Sequence, residues 1–411
     1  MEKERIVVTG MGVVTPIGVG VDNFWHNLLE GVSGTTAISR FNTENLPVKI
    51  AAEVKNFNPT DYMPKKLVRE TDPFMHYAFA AAKEALAKAQ LKYRPERIGI
   101  VLGTCLAGIT TITQTQDSYT SNPTLRVSPY FVPKSLGNIA AAQIAIANDF
   151  KGPSYTINTA CSSSADAIGL ASMLLLNDEA DAFVVVGAES ILCSLMTAGL
   201  AQAKALSTRN DQPEKACRPF DLNRDGFIMG EGAGAVILET LSQAKARGAE
   251  IQGELLGYSS TSDAYHITSP EPTGEGEIRC MQQALAKAGL TINDIDYINA
   301  HGTSTKIGDV IETQAIKSVF GERSGSIPVS STKGATGHMI GASGIVEFIT
   351  CIKTIADGIV PPTLNLEFQD PLCDLDYVPA KARKLDIKIA MSNSFGFGGQ
   401  NASLIAGKYF D

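Results

Sequence analysis

Short apolar runs alternate with longer amphipathic segments along the whole chain. Runs rich in Val and Ile predict strands, and segments with apolar residues at helical spacing predict helices. The predicted strands are Arg5–Thr9, Ile98–Leu102, Ser154–Asn158, Ala182–Val186, Ala235–Leu238, Gly253–Ser260, Tyr297–Ala300, Ile327–Ser330, Ile387–Asn393 and Ala402–Ile405. The predicted helices include Phe74–Ala89, Ser135–Ile146, Gly276–Ala288, Asp309–Val319 and Gly344–Ala356. This alternation predicts an α/β protein with helices packed on sheets.

Two glycines after the first strand imitate part of a dinucleotide-binding fingerprint. Gly10 and Gly12 have the first spacing, but Thr15 stands where the third glycine is required. No helix clearly opens there either, as that fingerprint needs. We therefore predict a plain turn at these glycines.

No linker rich in Pro, Gly or Ser divides the chain. The strongest change in composition follows Ala244–Glu250. We predict two halves, residues 1–250 and 251–411. Residues with chemical potential occur in both, so we expect the functional site between them.

The composition narrows the protein class. Of the 411 residues, 44% are hydrophobic and 19% are charged, which is typical of a globular protein with a large core. A net charge of -8 argues against general nucleic-acid binding. Seven scattered Cys without a CxxC pair predict reduced thiols in a reducing compartment. Neither a signal-peptide core nor an apolar run of transmembrane length is present, so we expect a cytoplasmic protein without membrane contact.

Cys161 is the strongest candidate for a reactive side chain. It follows the predicted strand Ser154–Asn158 and precedes the apolar, small-residue stretch Ala165–Leu176. This order predicts a strand, a tight turn and a buried helix. Unpaired N–H groups at a helix start favour a thiolate. The other six Cys are interpreted as small hydrophobic residues.

Two of the five His lie in comparable loops. His301 follows the strand Tyr297–Ala300, and His338 precedes the helix Gly344–Ala356 in a loop that also contains Lys333. A glycine-rich run at 396–399 follows another strand, and its backbone can approach a ligand closely. Sites in α/β folds gather at the carboxyl ends of strands, so we expect these loops to converge.

Two other chemistries could use the same side chains. Cys161, His301 and His338 could hold a catalytic zinc ion, although they lack close local spacing and Lys333 would repel the metal. A cysteine protease needs a Cys and a His. Two His, a Lys and a glycine-rich loop exceed that requirement.

Four ordered motifs carry a resemblance that covers essentially the whole chain: TACSSS around Cys161, HGTST at 301–305, SSTKGATGH at 330–338 and NSFGFGG at 393–399. They resemble the elongating β-ketoacyl-[acyl-carrier-protein] synthases, and most nearly the synthase II group of bacterial type II fatty acid synthesis. The resemblance implies the thiolase fold, a five-layer α-β-α-β-α body built from two similar halves. It also implies a homodimer.

The resemblance implies a decarboxylating Claisen condensation without metal or cofactor, the substrates being carried on the phosphopantetheine of acyl carrier protein (ACP). Cys161 would take the acyl chain, and the N–H groups of Cys161 and Phe397 would form the oxyanion hole. His301 and His338 would stabilise the enolate formed from malonyl-ACP. Lys333, supported by Glu347, would orient the site.

Further roles are implied by matching positions. Phe397 would gate an acyl pocket lined by Leu106 and Leu200. The phosphopantetheine contacts would be Thr268, Thr303 and Thr305. The basic residues that would meet ACP, or otherwise form an ordinary solvated surface, are Lys65, Lys66, Arg69 and Arg126.

Some positions depart from the commonest fatty-acid pattern. The run Ser162–Ser164 is more typical of polyketide ketosynthases, which leaves a discrete ketosynthase of a polyketide or polyene pathway as an alternative. Leu106 and Leu200 replace the Ile and Phe often found there and leave the chain length open. A catalytically silent scaffold that only binds carrier protein is the alternative from another functional class.

Overall fold

The computed structural model describes residues 4–122, 124 and 126–410. All ten predicted strands are present, most of them longer than predicted. The strands are β1 (Ile6–Thr15), β2 (Gly18–Val19), β3 (Thr35–Ala37), β4 (Ile50–Ala52), β5 (Ile98–Gly103), β6 (Ser154–Ile157), β7 (Ala182–Glu189), β8 (Gly232–Thr240), β9 (Gly253–Ser262), β10 (Tyr297–Asn299), β11 (Val329–Ser330), β12 (Ile359–Val360), β13 (Arg383–Lys384), β14 (Ile389–Gly396) and β15 (Gln400–Gly407).

The predicted helices are also present, together with several that were not predicted. The helices are α1 (Val21–Leu29), α2 (Lys65–Glu70), α3 (Pro73–Ala89), α4 (Ile109–Ser121), α5 (Phe131–Ser135), α6 (Asn138–Asn148), α7 (Ser163–Leu176), α8 (Ser194–Gln202), α9 (Leu241–Ala246), α10 (Glu275–Ala288), α11 (Gly308–Phe320), α12 (Lys333–Thr336) and α13 (Ser343–Asp357). Among these described helices, none is long and apolar enough to cross a membrane.

The large sheet contains the same strand pattern twice. Its order is β11-β10-β14-β15-β9-β1-β8-β7-β5-β6. Read outward from the centre, β1-β8-β7-β5-β6 and β9-β15-β14-β10-β11 have the same sequence of antiparallel, antiparallel, parallel and parallel pairings. Because β1 also pairs with β9, hydrogen bonds join the two groups, which form separate layers on either side of the central helices.

Helices cover the sheet in layers. The helices α7 and α13 pack on each other and contact strands of both groups, so they form the central layer. The helix α3 packs on β1, β7 and β8 at one outer face, and α10 packs on β9 and β15 at the other. The central helices are apolar on most sides, as burial between two sheet layers requires. The structure confirms the predicted five-layer α-β-α-β-α body.

The predicted turn at Gly10 and Gly12 is wrong, because β1 continues through both residues to Thr15. A Cβ at Gly10 would lie 2.2 Å from the Ala85 carbonyl oxygen, and one at Gly12 would lie 2.0 Å from that of Ala81. The glycines therefore let α3 approach the strand closely. This helix–strand contact cannot be seen in local sequence.

Candidate active site

Cys161, His301 and His338 meet at one point between the two halves. Cys161 follows β6 and His301 follows β10, both at the carboxyl ends of their strands, while His338 lies between α12 and α13. Their sulfur and nitrogen ligand atoms lie within 4.8 Å of one another. His338 Nε2 is 3.0 Å from Cys161 Sγ, and the two imidazole centroids are 5.3 Å apart.

The backbone before Cys161 is strained, and polar side chains hold it. Cys161 lies in the 3₁₀ turn Ala160–Ser162 that leads directly into α7. Ala160 has a φ of 52°, in the left-handed region that L-residues seldom occupy. Thr159 Oγ1 donates a hydrogen bond of 2.5 Å to Asp166 Oδ2, and Ser163 Oγ donates one of 2.6 Å to the Ala160 carbonyl. The polar residues around Cys161 thus fix its position.

The environment of the resting thiol differs from the prediction. Burial raises the pKa of Cys161 to about 11, although the Phe397 N–H and the Lys333 ammonium favour the thiolate. The predicted thiolate-favouring helix start is outweighed by desolvation. Burial and Lys333 lower the pKa of His338 well below its usual value. The resting pair is therefore a thiol beside a neutral imidazole that can accept its proton.

His301 has a defined tautomer. Burial, Lys333 and His338 lower its pKa, so the ring is neutral. Lys333 Nζ lies 3.5 Å from His301 Nδ1 and donates a hydrogen bond of 2.6 Å to the His301 carbonyl. An ammonium group can only donate, so Nδ1 is the acceptor and Nε2 carries the ring proton. His301 Nε2–H can therefore donate to a substrate oxygen.

Lys333 is a fully buried cation with a specific partner. It forms an ion pair with Glu347, and the two residues are 0% and 2% exposed. Burial raises the pKa of Glu347, and the ammonium opposes that rise. The Lys333 ammonium, held by Glu347, lowers the pKa of both His301 and His338 and so favours neutral imidazoles.

The loop after β14 completes the site. A Cβ at Gly396 would lie 3.0 Å from the Thr159 carbonyl oxygen and 3.1 Å from the Cys161 nitrogen. Gly398 and Gly399 have φ values of 84° and 68°. Glycine at these positions therefore allows the loop to bring the Phe397 N–H against Cys161.

Sequence reasoning missed two acids that hold the His301 loop. Glu312 accepts hydrogen bonds from the His301 and Gly302 N–H groups at 2.8 and 2.7 Å. Asp309 accepts one from the Ser304 N–H at 3.1 Å. Both acids lie in α11, directly after the loop, where carboxylates can satisfy loop N–H groups. Acids placed within the first turns of the helix after the His301 loop were the sequence signal for this support.

Cys161, His301 and His338 line a cavity of about 550 Å³. The predicted gate, acyl-pocket and arm-binding residues all line it: Phe397, Leu106, Leu200, Thr268, Thr303 and Thr305. The predicted carrier-binding residues lie outside its lining and are exposed: Lys65, Lys66, Arg69 and Arg126. The Tyr130 hydroxyl donates a hydrogen bond to the Glu70 carboxylate and also feels the charge of Arg69. These contacts place the loop after Arg126 beside α2.

Two protein-family models match the chain. The N-terminal domain of β-ketoacyl synthase matches residues 3–244, and its C-terminal domain matches residues 252–367. The chain belongs to the β-ketoacyl synthase family. Within this family, the synthase is 43% identical to the 3-oxoacyl-[acyl-carrier-protein] synthase 2 of Coxiella burnetii, with 100% of both chains covered.

Solved structures share the fold of this synthase. A β-ketoacyl synthase from Burkholderia phymatum is 36% identical with a TM-score of 0.92, covering 99% of this chain and 100% of that one. A type II PKS ketosynthase, solved in complex with its acyl-carrier protein and bound to the hexaketide, is 31% identical with a TM-score of 0.91. That match covers 100% of both chains.

The geometry of the three side chains argues against a zinc site. Tetrahedral zinc with ordinary Zn–S and Zn–N bonds separates sulfur from nitrogen by roughly 3.5 Å. Cys161 Sγ and His338 Nε2 are 3.0 Å apart, the separation of a hydrogen-bonded pair. The Lys333 ammonium also donates to His301 Nδ1, so Nε2 carries the ring proton and has no lone pair for a metal.

We therefore expect the synthase to remain fully active after dialysis against a strong chelator. Elemental analysis of the active protein should find less than one zinc per chain. The matched control is the same dialysed protein supplied with zinc, whose activity should not exceed that of the chelated protein, because the side chains do not form a zinc site. A loss of activity that zinc restores would contradict this prediction.

The two neutral histidines predict a pH-dependent stability. The unfolded chain protonates its histidines below about pH 6.5. His338 keeps its lowered pKa when folded, so the unfolded state alone gains this proton as pH falls, and the folded state loses stability. As the pH falls, the free energy of unfolding should decrease more steeply in wild type than in His338→Gln. The two slopes should differ by up to about 1.4 kcal/mol per pH unit. Urea denaturation at pH 7 and pH 5 measures this difference, and parallel pH profiles would refute it.

Proposed function

We propose that this synthase condenses an acyl group held on Cys161 with malonyl-ACP, giving 3-oxoacyl-ACP, CO2 and free ACP in type II fatty acid elongation. The observation that carries the proposal is the contact between Cys161 Sγ and the neutral His338, beside a second neutral histidine in one cavity. A hydrolase needs one such imidazole. A second supports chemistry on a second thioester.

In the first half-reaction, His338 accepts the thiol proton as Cys161 attacks the acyl thioester, and it passes this proton to the ACP thiolate that leaves when the tetrahedral intermediate collapses. The Cys161 and Phe397 N–H groups stabilise the tetrahedral oxyanion, an effect of about 3 kcal/mol per donor. Ser343 Oγ lies 3.1 Å from His338 Nδ1, and a hydroxyl can donate or accept. Ser343 therefore supports either tautomer of His338 as its proton moves.

In the second half-reaction, malonyl-ACP loses its carboxylate. His301 Nε2–H and His338 donate to the thioester oxygen, which carries the negative charge of the enolate. The enolate carbon then attacks the acyl-Cys161 carbonyl and the Cys161 thiolate leaves. The thiolate takes up one proton from solvent through His338. Lys333 orients His301 through Nδ1 and the carbonyl group, while Glu347 holds Lys333.

The remaining cavity residues bind substrate in this proposal. Phe397 gates the acyl pocket, which is lined by Leu106 and Leu200, and the arm of ACP contacts Thr268, Thr303 and Thr305. The exposed basic group Lys65, Lys66, Arg69 and Arg126 would meet the acidic carrier protein. The enzyme needs no cofactor beyond the phosphopantetheine that carries each substrate.

We propose a homodimer joined through the β6 edge of the sheet. Among the described residues, β6 ends the strand order and its Tyr155 is 47% exposed. The helix α6, which packs on β6, exposes the large apolar side chain of Ile146, at 73%. An unpaired edge beside an apolar surface favours pairing with a second copy.

We also propose a division at residues 250 and 251 and a cytoplasmic location. The division lies between β8, the last strand of the first group, and β9, the first of the second. Seven free cysteines, including the nucleophile, suit a reducing compartment.

The second candidate is a discrete ketosynthase of a polyketide or polyene pathway. The run Ser162–Ser164 and the likeness to the type II PKS ketosynthase favour it. The higher identity to 3-oxoacyl-[acyl-carrier-protein] synthase 2 relatives, over the full chain, favours fatty acid elongation.

A primer series tests the proposal. Purified synthase is incubated with malonyl-ACP and a set of saturated acyl-ACP primers, and products are identified by mass spectrometry. Extension of medium and long saturated chains supports fatty acid elongation, and extension of unsaturated or oxo primers alone favours the second candidate. An acyl adduct on Cys161 excludes a silent scaffold, and failure with every primer would overturn the proposed function.

A further inference from the structure

Glu277 is a buried carboxyl in the cavity for which the mechanism above gives no role. It lies in the first turn of α10, is 3% exposed and lines the cavity that contains Cys161. Its Oε2 has no hydrogen-bond partner among the described residues. A buried unpaired polar group costs stability. An apolar residue would fill the same position at lower cost, so the carboxyl indicates a ligand.

The neighbouring acids differ because their oxygens are already used. Glu312 accepts the His301 and Gly302 N–H groups. Asp263 accepts the Asn401 amide at 2.6 Å and the Glu271 N–H at 3.2 Å. Glu277 thus retains free hydrogen-bonding capacity beside acids whose capacity is used to hold the protein together.

The charges around Glu277 determine its protonation. Burial, followed by the negative charges of Glu312, Asp263 and Glu271, raises its pKa well above the usual value. These effects favour the protonated form of Glu277, which has one O–H donor and free acceptor lone pairs. A secondary amide complements such a group, since its carbonyl accepts and its N–H donates. A malonyl carboxylate does not, because it would add another anion beside Glu312 and Asp263.

We propose that Glu277 binds a secondary amide of the pantetheine arm that carries the malonyl group. The inference rests on the proposed function, which supplies an arm with two such amides. Glu312, a charged neighbour of Glu277, holds the loop that continues into Thr303 and Thr305. Both threonines line the same cavity, so the free carboxyl lies in the region of the predicted arm contacts.

The test compares Glu277→Leu with Glu277→Gln, using malonyl-pantetheine as the probe and CO2 release as the readout. We expect Leu to raise KM about tenfold with little change in kcat, because one hydrogen-bonded anchor is lost. Gln should stay near wild type, because its amide also donates and accepts. Glu277→Leu should unfold at no lower urea concentration than wild type, which a purely structural role would not allow.

The matched control is Glu275→Leu. Glu275 lies in the same turn of α10, but it is exposed and pairs with Arg279 at 2.9 Å. Its replacement should leave KM for malonyl-pantetheine unchanged. An equal rise of KM in both variants would overturn the proposal, because it would reflect disturbance of the helix start.

A second arm uses malonyl-pantetheine analogues in which either amide is replaced by an ester, which lacks the N–H. One of the two should show a raised KM with wild type and no further rise with Glu277→Leu. If Glu277→Leu does not fold, the ester analogues are compared in wild type and Glu277→Gln. Both proteins should show a raised KM for the same ester. This inference is overturned if KM is unchanged in Glu277→Leu, or if wild type shows an unchanged KM for both esters. CO2 release by wild type would still support the proposed function in that case. Wild type that releases no CO2 overturns both.

Discussion

Replacing Cys161 with Gln should abolish condensation while malonyl-ACP decarboxylation continues. Condensation needs a sulfur that carries the acyl chain, so its rate should fall by roughly a thousandfold or more. Decarboxylation needs donors at the thioester oxygen, and in the proposed mechanism these are His301 and His338, which remain. The Gln amide is close in size to an acylated thiol and fits the same N–H groups. Product analysis and CO2 release from one purified variant measure the two activities separately.

Cys373→Ser provides the control for this experiment. Cys373 is buried but lies outside the cavity lining. Its replacement should leave both activities near wild type. Loss of both activities in a folded Cys161→Gln protein would contradict the division of roles, because the thiol would then also be required for the decarboxylation step.

Local sequence was sufficient to predict the elements that carry the reactive residues. Cys161, His301 and Phe397 each follow a strand whose apolar run ends at polar or glycine residues, and β6, β10 and β14 end close to the predicted places. Since such strand ends meet at one side of a sheet, convergence could be expected. The resemblance supplied the layered arrangement and the equivalence of the two halves, which periodicity alone does not specify.

Features that depend on contacts distant in sequence could not be predicted. The raised pKa of Cys161 arises from burial by both halves, which outweighs the local helix start. Positions 10 and 12 require glycine because α3, about 70 residues away in the chain, approaches the strand closely there. Glu277 looks like an ordinary acid at a helix start, and only the folded cavity shows that its oxygen lacks a partner.

Replacing Lys333 with Met should damage both stability and activity. The change leaves Glu347 buried without its ion-pair partner, and such a loss costs about 3–5 kcal/mol. It also removes the donor to His301 Nδ1 and the His301 carbonyl, so the ring loses its defined tautomer. We expect the rate of decarboxylation to fall by at least about a hundredfold. It is measured as CO2 release at a temperature below the unfolding midpoint of the variant, where the protein is folded.

The double variant Lys333→Met/Glu347→Met separates the two effects. Removing both charges takes away the uncompensated carboxylate, so much of the lost stability should return. Activity should not return, because Met cannot orient His301. Lys317→Met is the matched control, since its pair with Asp374 at 2.6 Å is about half exposed and worth at most about 1 kcal/mol. Recovery of CO2 release in the double variant would show that Lys333 acts only through stability, and the positioning role would then be wrong.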